Sequence, residues 1–365
     1  MGFHLSRNIT QSVIDKLIEV FKIRVDLTEK VKSTDLKEEL RLYKVKWPSK
    51  SEVYILDSPE IMKVACHPHI VGRELEELME KVAYNFSKTL IELTSIRDLG
   101  GDEVVFEHVL RAAPGYCLHK ALRKHGADFR EVWIRPRYKK PSYRAHDEEY
   151  RELEIVYEDF SSIPRGVELT VLKPDTEASG RTAELSLTRL KEIVEERNSN
   201  LRELILYGFI SEQGLKKVEE TAYNLGFRKI ICIALGNLTA LCYNMYDMPL
   251  YGLDESYYKK YRQKKNLSGI IDYETLVEYV PEYIPGLDQP GDWSARQETL
   301  YTGTGYEPGN IDKHLKNSIN LIKQLWKISK NQEWFTKQHE ETIKKELEIL
   351  KTKLKETKPR KQRLC

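Results

Sequence analysis

The chain has 365 residues, 40% of them hydrophobic and 10% aromatic, enough for two compact domains or one enlarged domain and too apolar for wholesale disorder. Its 59 basic and 57 acidic residues leave a formal charge of +2, which excludes a general polyanion-binding field. No run approaches the ~18 apolar residues of a membrane helix, so a soluble protein is expected.

Five cysteines, Cys66, Cys117, Cys232, Cys242 and Cys365, are odd in number and unclustered, which predicts reduced thiols and a cytoplasmic location rather than a disulfide framework. The N-terminus lacks the charged-then-apolar pattern of a signal peptide, and Gly2 with Ser6 is read as a chance match to a myristoylation pattern.

Residues 1–60 read as a small N-terminal α/β extension. Ile9, Val13, Leu17 and Val20 recur at helical spacing, and the strand-like patches IRVDL and EVYIL follow. From Ile70 a long amphipathic helix is predicted through RELEELMEKVAYNFSKTLIELT. VVFEHVL then predicts a buried strand, Ala113-Pro114-Gly115 a turn, and the next residues a helix to Lys124. EVWIR, VELTVLK, LRELILYGF and KIICIAL predict further strands, the last three separated by the helical stretches TAELSLTRLKEIVEER and SEQGLKKVEETAYNLG. Such alternation predicts βαβ units: an α/β core, residues 61–295, with a mostly parallel sheet flanked by helices.

Residues 237–282, rich in Tyr and charge, read as an insertion of short elements. A Gly/Pro/Asp-rich loop, 284–292, follows, and YTGTGYEPGN reads as a connector. Residues 296–365 form a C-terminal extension. Ile311, Leu315, Ile319, Ile322 and Trp326 make one stripe, and Ile343, Leu347, Leu350 and Leu354 another, which predicts a helical hairpin or short coiled coil with a packing or self-association role. The tail KETKPRKQRLC is basic and is read as solvated.

The informative segment is LTVLKPDTEASGRTAELSLTR, Leu169–Arg189. An apolar strand delivers the chain to Pro174–Thr182, and a helix begins at once. Backbone N–H groups at a helix N-terminus, with Ser179 and Thr182 hydroxyls, suit a phosphate monoester. Gly180 permits a positive φ or close backbone approach, and Arg181 adds charge. Asp175 and Glu177 stand where carboxylates accept hydrogen bonds from ribose hydroxyls. The alternative is an ordinary strand-to-helix turn with a Ser or Thr cap.

Three further segments favour the first reading. Val109-Leu110-Arg111-Ala112-Ala113-Pro114-Gly115 resembles the I-L-R-A-G-L-G segment of phosphoribosyltransferases, and Ala178-Ser179-Gly180-Arg181-Thr182 resembles their phosphoribosyl pyrophosphate (PRPP) loop. His67-Pro68-His69-Ile70 and Tyr283–Asp292, YIPGLDQPGD, resemble the His-Pro-Leu opening and the base loop of the uracil phosphoribosyltransferases within that type I family. Four segments in order span residues 67–293 and neither end of the chain.

The resemblance implies that Arg111 contacts pyrophosphate and that Arg135, or its neighbour Arg137, is the arginine of a mobile strand-end hairpin. It implies that Asp175, Thr176, Glu177, Ala178, Ser179, Gly180, Arg181 and Thr182 bind the ribose phosphate. Tyr283, Ile284, Asp288, Gln289 and Pro290 would present backbone groups to a pyrimidine edge, and Gln289 takes the place of a carboxylate turned towards PRPP. Arg111, Arg135 and Asp175 would be the catalytic set, with Mg²⁺ carried in on PRPP and no metal ligands of the protein's own. The departures are definite: the family's first loop carboxylate falls on Pro174, its second glycine on Arg181, and Pro290 lacks an N–H.

Cys66, His67 and His69 have poor ligand spacing for a metal and read as structural residues. His119 and His125 read as packing or surface residues. The Tyr-rich run Tyr251–Tyr261 reads as a protein surface or lid rather than a nucleic-acid platform, given the near-zero charge. The expected partners are PRPP and a nucleobase or nucleotide, with no membrane or nucleic acid, in a homo-oligomer. Two functions stay open: transfer of phosphoribosyl to uracil or a related base, or a catalytically degenerate PRPP- or nucleotide-binding regulatory or assembly subunit.

Overall fold

A nine-stranded sheet runs through the molecule in the order β1-β2-β3-β9-β8-β7-β4-β5-β6. The computed structural model describes residues 11–32, 36–37, 39–139, 152–257 and 266–357. The initiating residues with Gly2, Ser6 and Ile9, the later part of the Tyr-rich run, and most of the basic tail lie outside them.

The strands are β1 (Thr28–Lys30), β2 (Arg41–Val45), β3 (Glu52–Asp57), β4 (Val104–Val109), β5 (Arg130–Tyr138), β6 (Leu153–Asp159), β7 (Glu168–Pro174), β8 (Asn200–Ser211) and β9 (Lys229–Thr239). The six from β3 to β5 in sheet order pair in parallel, whereas β1, β2 and β6 are antiparallel additions at the two rims. The fold expectation is therefore met: the sheet is mostly parallel and flanked by helices, with added N- and C-terminal elements.

Alternation along the strands builds two cores. Ile205, Tyr207 and Phe209 of β8 face one side with α2 (Pro59–Cys66), α3 (Arg73–Leu93) and α4 (Leu118–Lys124). Leu204 and Leu206 face the other, covered by α5 (Arg181–Glu196) and α6 (Glu212–Asn224). Helix α5 forms because Ala183, Leu187, Leu190 and Val194 recur on one face, and all four are buried against the sheet.

The N-terminal region adds α1 (Gln11–Phe21) and strands β1–β3 to this same sheet. EVYIL is β3, but IRVDL is no strand: the chain turns at Asp26–Leu27, and the ladder with β2 begins at Thr28. The sequence reading also passed over β6, whose half-exposed, charge-interrupted pattern lacks the apolar density of the buried strands. Residues 237–282 contain β10 (Tyr251–Leu253), β11 (Asn266–Ser268) and α7 (Tyr273–Tyr279). Further on come α8 (Trp293–Arg296), α9 (Ile311–Ser329) and α10 (Lys337–Glu356), the last two packed together through the expected stripes. The expected connector YTGTGYEPGN is instead an antiparallel hairpin, β12 (Thr299–Tyr301) and β13 (Tyr306–Pro308). Among the described residues no helix is long and apolar enough to cross a membrane.

Candidate functional site

From β4 the chain moves outward to β5 and β6, then returns to β7 on the other flank of β4 and continues to β8 and β9. The strand order reverses between β4 and β7, and the crevice beyond their carboxyl ends is where open α/β sheets bind ligands. The two sequence candidates, 109–115 and 174–182, lie at those two strand ends.

The 174–182 loop is held by β8 rather than by its own side chains. Asp175 N–H donates to Tyr207 O (3.1 Å), Glu177 N–H to Phe209 O (2.9 Å), and Ser211 Oγ to Ala178 O (2.5 Å). Two glycines permit this: a Cβ at Gly208 would stand 2.1 Å from Asp175 O, and one at Gly214 2.4 Å from Glu177 O. The N-cap of α5 is Gly180 at φ 74°, and no side chain caps it. The capping alternative thus finds no capping hydroxyl, and the α5 N-terminus, where helices favour anions, opens at the end of β7.

Across the crevice, the Leu110–Arg111 peptide is cis, and Arg111 follows β4 directly. The Arg135 guanidinium is pulled below its usual range by burial and by the like charges of Arg111 and Arg137, while Arg137 itself pairs with Glu154 of β6 (2.7 Å). Tyr116 OH and Thr176 Oγ1, 2.6 Å apart, tie the 113–116 turn to the facing loop, and Tyr116 OH also accepts from Phe209 N–H (3.3 Å).

The β12–β13 hairpin covers the arginines. Glu307 pairs with Arg111, and Arg135 Nη1 donates to Thr302 O (3.3 Å). Its turn rests on β6, where a Cβ at Gly303 would overlap the Tyr157 ring at 2.3 Å. This part of the site is hard to find in the sequence because the two strands are three residues each and glycines at 303, 305 and 309 surround them.

Beneath the loop lies a buried charge cluster. Lys173 Nζ sits 3.5 Å from Asp175 Oδ2 and Glu177 Oε1 and 3.6 Å from Glu107 Oε2, with all four side chains at most 6% exposed. Burial raises the pKa of all three carboxyls, Glu177 to about 7, while their proximity raises that of Lys173. Glu177, expected near the ribose, is therefore a member of this cluster, as is Asp175, which also accepts from Thr176 N–H (2.8 Å). The signal was in the sequence: Lys173 and Glu107 interrupt otherwise apolar strand runs, and such residues are buried only when paired.

The 283–292 loop is bonded inward. Tyr283 is fully buried, its OH donating to Leu287 O (2.7 Å) and accepting from Leu250 N–H (2.9 Å), and Ile284 is buried beside it. Asp288 Oδ1 accepts from Met248 N–H (2.9 Å), and Gln289 Oε1 from Asn237 Nδ2 (3.0 Å). Arg296, fully buried, donates to the carbonyls of Gln289, Pro290, Val64, His67 and Ile70. Trp293 reaches the crevice: its indole N–H donates to Ala112 O (3.2 Å) and its ring stacks on Tyr116 at 4.6 Å. His119 packs edge-on against Phe106 and His108, and burial lowers its pKa to about 3.

Fold and site together define an α/β protein whose strand-end crevice has helix amides on one wall and arginines on the other. No family model and no curated protein matches the chain. Among solved structures it is similar to the AQ2163 protein from Aquifex aeolicus (16% identity, covering 50% of this chain and 86% of that one, TM-score 0.35). It is also similar to adenine phosphoribosyltransferase from Trypanosoma brucei, in complex with AMP, pyrophosphate and ribose-5-phosphate (18% identity, 50% and 82% covered, TM-score 0.31). A third similarity is to hypoxanthine-guanine phosphoribosyltransferase from L. donovani (13% identity, 55% and 94% covered, TM-score 0.30). These are likenesses at low identity, and the α/β architecture rests on the strand order itself.

Proposed function

We propose that this chain binds PRPP in the β4–β7 crevice and transfers its phosphoribosyl group to a nucleobase. The observation that carries the reading is the uncapped α5 N-terminus at Gly180, set at the strand-order reversal that also carries Arg111 at the end of β4. In this reading the 178–182 turn holds the 5-phosphate, Arg111 with Arg135 takes the pyrophosphate, whose Mg²⁺ arrives as part of the substrate, and Asp175 reaches the ribose hydroxyls only by turning out of its buried pairing with Lys173.

In the reaction the bond from the ribose anomeric carbon to the pyrophosphate oxygen breaks, and its electron pair leaves with pyrophosphate. A base nitrogen forms the new bond from the opposite face and yields its proton to solvent. The arginines stabilise the departing charge, and preorganised groups of this kind contribute a few kcal/mol each. Positioning of both reactants does much of the rest. Uracil or a related pyrimidine is the proposed acceptor, on the resemblance of 283–292, and the protein is read as a cytoplasmic homo-oligomer.

A second reading, binding without transfer, is favoured by the inward bonding of Asp288–Pro290 and by the Glu307 carboxylate on Arg111. PRPP titration by calorimetry, followed by pyrophosphate release with a panel of bases, separates the two. Release above background supports transfer, and saturable binding without release supports the regulatory subunit. Absence of any saturable PRPP binding defeats both.

A further inference from the structure

Away from the crevice, two histidines and a carboxylate from opposite ends of the chain converge. Helix α2 ends at Cys66, with His67 as its C-cap, and Pro68 and His69 follow. From α10, Glu346 reaches between the two imidazoles: His67 Nδ1 lies 3.3 Å from Oε2, and His69 Nδ1 lies 2.8 Å from both Oε1 and Oε2. All the candidate ligand atoms lie within 4.8 Å of one another. Glu346 is 3% exposed, whereas His67 and His69 are 16% and 15% exposed, so the carboxylate is sealed and the imidazoles keep an opening to solvent.

We propose that His67, His69 and Glu346 form a binding site for a zinc-class divalent cation that fastens α10 to the turn after α2. An ion with bonds of about 2.0–2.1 Å holds neighbouring ligands about 3.0–3.4 Å apart; the His67 separation of 3.3 Å falls in that span, and the His69 separation of 2.8 Å has to open by a few tenths of an ångström. Two imidazole nitrogens and one carboxylate suit Zn²⁺ and its borderline neighbours, whereas Mg²⁺ and Ca²⁺ prefer all-oxygen sets. Three protein ligands leave a fourth position for water, on the side where the imidazoles are open. The outer shell is also present: His67 Nε2 lies 3.5 Å from Glu282 Oε2, the carboxylate–histidine relay that orients a ligating ring. Sequence spacing concealed the site because Glu346 lies 277 residues beyond His69.

The ion would do more than join two helices. The same turn offers the His67 and Ile70 carbonyls to Arg296, which also holds Gln289 and Pro290, so loading is transmitted to the 283–292 loop. The site stands independently of PRPP binding.

The test uses the untagged full-length chain, stripped with a chelator and desalted. Zn²⁺ is titrated in competition with a chromophoric chelator, and Co²⁺ in parallel for its visible absorption. One equivalent of Zn²⁺ is expected, with a tetrahedral-type Co²⁺ spectrum, a zinc-dependent rise in melting temperature, and no competition from Mg²⁺. His69→Ala and Glu346→Gln should each weaken binding by more than about 100-fold, and Glu282→Gln by about 10- to 100-fold. Circular dichroism of the metal-free variants checks folding, and the wild-type titration does not depend on them. A wild-type chain that takes up no Zn²⁺, or variants that hold it as tightly as wild type, overturns the proposal.

Discussion

Replacing Lys173 by Met leaves Glu107, Asp175 and Glu177 buried together without a cation. At an effective dielectric of about 20, an ionised pair 3.5 Å apart interacts by roughly 5 kcal/mol, and Lys173 has three such partners at 3.5–3.6 Å. Much of this offsets desolvation, so the net cost of removing the lysine is about 3–5 kcal/mol. An unfolding entropy of about 2.1 cal/mol/K per residue gives roughly 0.8 kcal/mol/K over 365 residues. The melting temperature should then fall by about 4–6 °C.

The pH dependence is the sharper readout. Burial raises the Glu177 carboxyl from 4.5 to about 7, so the folded chain keeps a proton that the unfolded chain has released. Stability from this group therefore declines as pH rises through that window, by on the order of 3 kcal/mol, and levels off above it. Without Lys173 the three carboxyls rise further, so the variant's deficit should be smallest near pH 5 and widen towards pH 8. Thermal and urea unfolding across that range measure it. A Lys173→Met deficit below 1 kcal/mol, or one that does not change with pH, would refute the reasoning.

Glu307→Gln removes the carboxylate that, under the proposed function, pyrophosphate would displace from Arg111. The pair is 35% and 40% exposed, so its loss is worth about 0.2–1 kcal/mol, and PRPP affinity by calorimetry should rise about 1.5- to 5-fold, more at low salt. Unchanged or weaker affinity would remove the hairpin from the ligand's path. Gly180→Asp places a Cβ 2.9 Å from Gly214 O and Lys217 Cβ, at φ 74°, and adds a negative charge at the α5 N-terminus. PRPP binding should drop by at least about 100-fold, with Gly180→Ala separating the backbone strain of about 1–3 kcal/mol from the charge. Arg296→Met leaves five carbonyls without their donor and should cost about 3–5 kcal/mol in urea unfolding, with faster proteolysis in 283–292.

The core strands and α5 were legible in sequence because both faces of the sheet are covered, which makes β7, β8 and β9 near-continuous apolar runs. The phosphate-loop candidate was legible because strand, glycine and helix follow one another within about a dozen residues. What was not legible depends on pairs far apart in the chain. Glu307 reaches Arg111 across 196 residues, and Arg41–Asp57 joins Glu278 across more than 200. The half-exposed β6 and the glycine-rich β12–β13 hairpin carry too little period-2 signal to stand out alone. Lys173 was readable as an anomaly with Asp175 and Glu177 two and four residues on, but its third partner, Glu107, needed the register of β4 against β7.

The rims of the sheet bear on how copies of the chain can meet. A strand at an open border presents an unsatisfied ladder to any neighbouring chain, and each border strand here pairs antiparallel with its single neighbour. One is the three-residue Thr28-Glu29-Lys30, and the other carries Glu154, Glu158 and Asp159. Short length and charge discourage edge-to-edge growth. The strands that frame the crevice thus lie inside the sheet, away from both of its exposed borders.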